Sequence, residues 1–201
     1  MYFLKFSSFM RIKIFMAFWG CLLLTNSVIA QTGPGGVGTL TGTGTLKAWY
    51  TADAGVSYDG SNKVSDWRNS VAVSNLDIFA TGSLMPDYEA SNINGKPAIS
   101  FSGSNRLTTA IHLNSSFFPT NAATTFIISN ADNTSQNSSI YGTYPLEGNR
   151  FSAHLPWVGN YYFDIGTCCS DPSRVTDGFG TAGNYSIWSY NANSTLAACR
   201  T

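Results

Sequence analysis

The sequence predicts an all-β domain folded as an antiparallel sandwich or barrel, and three observations lead there. Short runs of aromatic and β-branched residues recur along the chain, each closed by Gly, Asn, Pro or Asp. No window of a dozen residues repeats its apolar positions at the spacing of a helix face. Charged residues make up 11% of the chain against 14% aromatic, so its surface must come from strands and uncharged turns rather than from charged helix faces.

The chain opens with a segment to set apart from the fold. Lys5, Arg11 and Lys13 give a positive start, "IFMAFWGCLLL" (14–24) is an apolar run, and "SVIA" ends on the small residue Ala30. This is the pattern of a secretory signal peptide over residues 1–30. At about 1.5 Å per residue the run spans roughly half of a bilayer core, which argues against a membrane-spanning helix. Cys21 lies within the segment, in a poor lipidation box, and is expected to leave with it. The protein is therefore expected to be secreted, extracellular or at the cell surface. Residues 31–201 are one domain's length, with eight basic residues against eleven acidic ones. That balance offers no attraction to a phosphate backbone, which excludes nucleic acid as an expected partner.

Residues 31–45, "QTGPGGVGTLTGTGT", read as a Gly/Thr-rich flexible lead-in. Strand-like runs come after it: "TLKAWYTA" (45–52), "KVSDWRN" (63–69), "LDIFAT" (76–81), "PAISFSG" (97–103), "TTFIISNA" (124–131), "SIYGTY" (139–144), "RFSAHLPW" (150–157), "NYYFDIG" (160–166) and "NYSIWSY" (184–190). "NADNTSQNSS" (130–139) reads as a polar loop.

Residues 150–166 carry the most information. Phe151, Ala153, Leu155 and Trp157 alternate with Ser152, His154 and Pro156, and Tyr161, Phe163 and Ile165 alternate with Tyr162 and Asp164. A three-residue loop "VGN" (158–160) pairs Trp157 with Tyr161, Leu155 with Phe163 and Ala153 with Ile165, making one face wholly apolar. The same register sets His154 opposite Asp164 on the polar face, within reach of a charge-assisted hydrogen bond. A His–Asp pair lacks a nucleophile, Ser152 being only a diagonal neighbour, and no G-x-S-x-G elbow occurs in the chain. A cross-strand pair on a solvated sheet face is the expected reading.

"LKAWYTADAGVSYDGSNKVSDWRNS", "INGKPAISFSGSNRLTT" and "TTFIISNADNTSQNSSIYG" together resemble the concanavalin A-like, laminin-G-like jelly-roll domain of secreted and surface proteins of Bacteroidota-type bacteria. "RFSAHLPW…YFDIGTCC" is similar to a later hairpin of that family. The resemblance covers about residues 45–190. It implies a jelly-roll domain over residues 46–201, two antiparallel sheets packed face to face, and a use in adhesion or glycan binding. The family continues past the "YSIWSY" strand, so the domain is expected to be truncated at its C-terminus, where the sequence reads "STLAACRT".

Other chemistries find less support. Laminarinase-type relatives use an E-x-D-x-x-E strand to set two carboxylates at the separation retention requires. Glu89 and Glu147 are the glutamates of this chain, and neither begins such a motif, so no catalytic residue is assigned. Cys168, Cys169 and Cys199 are disulfide candidates in an exported protein, as Cys199 with one of the adjacent pair or as a bridge between neighbours. Zinc on His154 with Cys168 and Cys169 ranks below the disulfide, because adjacent cysteines rarely point at one ion. "GFGTAG" (178–183) matches a dinucleotide fingerprint but opens no helix. Calcium at loop carboxylates is a weak alternative, with Asp53, Asp59, Asp171 and Asp177 read as turn caps; no cofactor or metal is expected.

Sugar rings stack on exposed aromatic faces, with amides and hydroxyls giving direction. Trp67, Trp157 and Trp188 are expected to fill the core. Tyr50 and Tyr162, with His154 and Asp164, are the expected ligand-binding residues. The resulting reading is a non-catalytic extracellular carbohydrate-binding or adhesion module whose partner is a glycan or cell-surface component. The alternatives are a structural spacer without a ligand and, less favoured, a divergent glycan hydrolase.

Overall fold

In a computed structural model, residues 33–42, 44–111, 122–142, 150–166, 173–193 and 196–200 are described. The fold is all-β: these residues form thirteen strands and three short 3-10 turns, and no α-helix. The expected signal segment, Cys168, Cys169 and Asp171 lie outside the described residues.

The first half forms two small sheets. β1 (Val56–Tyr58), β2 (Val64–Trp67), β3 (Ile78–Phe79) and β6 (Thr108–Thr109) run antiparallel in the order β1-β2-β3-β6. β4 (Asp87–Ile93) and β5 (Lys96–Ser100) form a hairpin. The hairpin is tied to the β1–β2 turn by Val64 N–H to Pro86 O at 2.8 Å and Tyr88 N–H to Asn62 O at 2.8 Å. Tyr58 stacks on Tyr88 with ring centroids 4.2 Å apart, and Lys63 meets Asp87 at 2.6 Å beside them.

The second half holds the main core. β8 (Asn137–Tyr141), β9 (Arg150–Trp157), β10 (Asn160–Gly166) and β11 (Arg174–Gly178) form one antiparallel sheet, ordered β11-β10-β9-β8. β7 (Ala123–Ser129), β12 (Ser186–Asn193) and β13 (Leu196–Arg200) form another, ordered β13-β12-β7. Alternation puts Phe151, Ala153, Leu155 and Phe163 on the inner face of the first sheet and Trp188, Tyr190 and Ala192 on that of the second. Phe163 stacks on Tyr190 at 4.7 Å and meets Phe151 edge-on at 5.9 Å. Each such ring contributes roughly 1.5–3 kcal/mol of burial, which makes this sheet-on-sheet contact the main apolar cluster among the described residues.

One expectation about the N-terminal part is corrected. "TLKAWYTA" is not a strand, and only a bridge between Thr51 and Ala54 forms near it. Side chains hold this segment instead: Trp49 N–H donates to Asn69 Oδ1 at 2.8 Å, and the Tyr50 hydroxyl donates to Leu76 O. The lead-in also packs over its described part. Ala72 N–H donates to Leu40 O at 2.8 Å, and Gly42, at φ 78°, lies so close that a Cβ there would fall 2.8 Å from Ala72 O. β1, β4, β6, β11 and β13 are strands outside the runs read from sequence.

Candidate functional site

The hairpin of β9 and β10 exists, but its register differs from the expected one. The loop has two residues, Val158 and Gly159, at φ 49° and 82°, the pattern of a type I′ turn. Trp157 pairs with Asn160, His154 with Tyr162, Ala153 with Phe163 and Ser152 with Asp164. Between the first two pairs Leu155 and Pro156 stand against Tyr161 alone, a β-bulge. The bulge absorbs one residue, so the core face is preserved from Phe151 to Leu155 while the strand end beyond it changes face. Trp157 therefore leaves the expected core position and stands 40% exposed on the outer face. Its ring meets the His154 ring edge-on at 5.1 Å.

The expected His154–Asp164 pair does not form, and its face is not uniformly solvated. Asp164 is completely buried. Arg174, directly opposite it on β11, closes a fork on the carboxylate: Nε to Oδ1 at 2.6 Å and Nη2 to Oδ2 at 2.8 Å. Ser152 Oγ donates to Oδ2 at 3.4 Å. The hydrogen bonds it donates to Asp164 make Arg174 hold its proton more tightly than usual; burial opposes this and the Asp164 charge adds to it. The guanidinium also lies 4.6 Å from the centre of the Tyr162 ring.

His154 instead faces β8. Ser139 Oγ and His154 Nδ1 are 2.9 Å apart, a hydrogen bond whose donor depends on the imidazole tautomer. A serine beside an imidazole is the start of a nucleophile–base pair. Sequence reasoning misses it because Ser139 falls where the polar loop 130–139 meets a strand, with no pattern to fix its partner. The third group of such a constellation is the carboxylate that orients the ring. Here Asp164 is engaged by Arg174 and Ser152, one register row away from His154.

The outer face is thus laid out in rows across the sheet. Ser139, His154, Tyr162 and Thr176 form one row, Ser152, Asp164 and Arg174 a second, and Asn137, Trp157 and Asn160 a third at the hairpin end. Asn137 Oδ1 accepts from Val158 N–H at 3.3 Å and Asn160 Nδ2 donates to Val158 O at 3.3 Å, bracing the turn from both sides. Of the expected binding residues, His154, Tyr162 and Asp164 come together and Tyr50 does not. Tyr50 packs edge-on against Trp67 at 5.6 Å, and burial, then the Asp77 charge, pushes its hydroxyl up to about 12.

The remaining candidates take ordinary places. Asp59 Oδ1 accepts from Ser61 N–H at 2.8 Å and Lys63 N–H at 3.0 Å, and these bonds lower its pKa. Asp177 Oδ1 accepts from Gly178 N–H at 2.7 Å, and Asp53 pairs with Lys96 at 3.5 Å. Cys199 stands opposite Tyr190 in the β12–β13 ladder. Among the described residues no three His, Cys, Asp or Glu side chains gather as a metal site, and no helix is long and apolar enough to cross a membrane.

No family model, curated protein or solved structure matches this chain.

Proposed function

We propose that this chain is a secreted, non-catalytic module of the concanavalin A-like, laminin-G-like jelly-roll type that binds carbohydrate or adheres to a glycan-bearing surface. The observation that carries the reading is the outer face of the β8–β11 sheet, where exposed Trp157 adjoins His154 and His154 adjoins Tyr162 within rows of hydroxyl and amide side chains. Saccharides are held by this combination, a ring face for their C–H groups and directional partners for their hydroxyls. The positive, apolar, small-residue pattern of residues 1–30 supports export.

The commitment of Asp164 to Arg174 supports the non-catalytic part, since it leaves the Ser139–His154 contact without that carboxylate to orient it. A glycan array probed with the purified chain tests the reading. Saturable binding that Tyr162→Ala abolishes is expected; an empty array would favour a spacer domain. Covalent labelling of Ser139 by a fluorophosphonate, or turnover of a polysaccharide, would contradict the non-catalytic assignment.

A further inference from the structure

The row at the hairpin end has a composition that the proposed function does not by itself require. Trp157 is flanked on either side by an asparagine, Asn137 on β8 and Asn160 on β10, each paired with it in register. Each amide uses one end to brace the turn: Asn137 its oxygen and Asn160 its nitrogen. The other ends, a donor at Asn137 Nδ2 and an acceptor at Asn160 Oδ1, have no protein partner among the described residues. An exposed indole face therefore lies between one donor and one acceptor.

The turn itself carries a second signal. Val158 is a β-branched residue in the left-handed region at φ 49°, where such side chains are rare, and its side chain is 64% exposed. An Asn-Gly pair would fill this turn without that strain. The valine buries little apolar area in exchange, yet two asparagines hold the strained turn in place. Strain that persists in a braced, exposed turn is a mark of a contact surface.

The charged side chains described on this face, Asp164 and Arg174, pair with one another. The side chains beside Trp157 (Asn137, Ser139, His154, Asn160 and Tyr162) carry no carboxylate, lysine or arginine. An anionic ligand would meet no uncompensated cation here. It would also lose hydration on approaching the indole with nothing to replace it.

We infer that the ligand of this face is an uncharged saccharide that stacks a C–H face on Trp157 and against Val158, with its hydroxyls bonded to Asn137 Nδ2 and Asn160 Oδ1. This rests on the carbohydrate-binding reading above and narrows it to neutral glycans. The test is calorimetric titration of the full chain with a neutral β-glucan, a neutral galactomannan, alginate and polygalacturonate, each at about 50 and 500 mM salt, a range over which screening removes surface electrostatics. The expected result is binding to at least one neutral polymer, with Kd changing less than about twofold across the salt range. Trp157→Ala should weaken that binding about tenfold or more, whereas Trp157→Tyr, which keeps a stacking ring, should retain most of it. Trp157 is exposed, so an unchanged urea midpoint in both variants separates lost binding from lost fold. Salt-sensitive binding to the acidic polymers alone would overturn the neutral-glycan inference and leave the carbohydrate-binding reading standing. Neutral binding that ignores Trp157→Ala would also overturn it, and no binding to any glycan would overturn both.

Discussion

Arg174 and Asp164 face each other across β11 and β10, with the guanidinium fork closed on a carboxylate that has no exposure at all. A fully buried carboxylate must have its lone pairs satisfied and its charge matched, and Arg174 supplies two hydrogen bonds and a counter-charge. Arg174 itself keeps some contact with solvent, so the pair is anchored at the Asp164 end.

Removing Arg174 therefore takes a two-point counter-charge away from a buried carboxylate. Arg174→Ala should lower stability by about 3 kcal/mol, within the range for breaking buried pairs from one side. The double variant Asp164→Leu/Arg174→Met should recover much of that loss, because no charge is left to desolvate. Urea midpoints of the two variants at neutral pH measure both effects. A double variant no more stable than the single one would mean that the pair does more than neutralise itself.

The turn at Val158 and Gly159 gives a gain rather than a loss. Val158→Asn places in the type I′ turn a residue that tolerates left-handed backbone, relieving roughly 1–2 kcal/mol of steric cost. The denaturation midpoint should rise with the m-value unchanged. A fall would show that Val158 makes contacts worth more than its strain.

Tyr50 sets an alkaline limit on the N-terminal part. Its hydroxyl ionises near 10 in the unfolded chain but is pushed up to about 12 in the fold, first by burial and then by Asp77. The folded state thus holds a proton that the unfolded state releases, so stability is complete below about pH 10 and declines as pH rises towards 12. Thermal unfolding between pH 9 and 12 should show this decline in the wild type and a shallower one in Tyr50→Phe. Identical profiles would mean that Tyr50 sets no such limit.

The outer face of β7 and β12 presents apolar side chains to solvent. Phe126 is 65% exposed and Ile128 64%, and Ile187 stands directly opposite Ile128 in the ladder. Substitutions to lysine at Phe126 or Ile128 should change stability by no more than about 0.5 kcal/mol, the range for exposed positions. A loss of several kcal/mol would show that this face is covered in solution.

Much of this architecture is legible in the chain. Strict alternation in 151–155 and 161–165 marks the core face of the central hairpin, because period-two patterns survive any even shift of register. Tyr162 and His154 fall on the outer face for the same reason. Three features are not legible. The bulge at Leu155–Pro156 sends Trp157 outward, and alternation alone carries no mark of an inserted residue. Arg174 lies on a strand whose sequence, "RVTDG", lacks a run of apolar residues, so the partner of Asp164 is invisible until β11 pairs with β10. Tyr50 looks like a strand residue since "KAWY" has strand-forming side chains, but its neighbours hold it through side-chain bonds rather than a ladder.

Glycan binding on the outer face of the β8–β11 sheet is tested most sharply by NMR, following the indole N–H resonances of Trp157 and Trp188 while a glycan that binds the chain is added. Trp157 stands exposed on the outer face and Trp188 is 3% exposed between the sheets. The Trp157 signal should shift in step with saturation while the Trp188 signal stays in place. A stationary Trp157 signal at saturating glycan would contradict binding at this face.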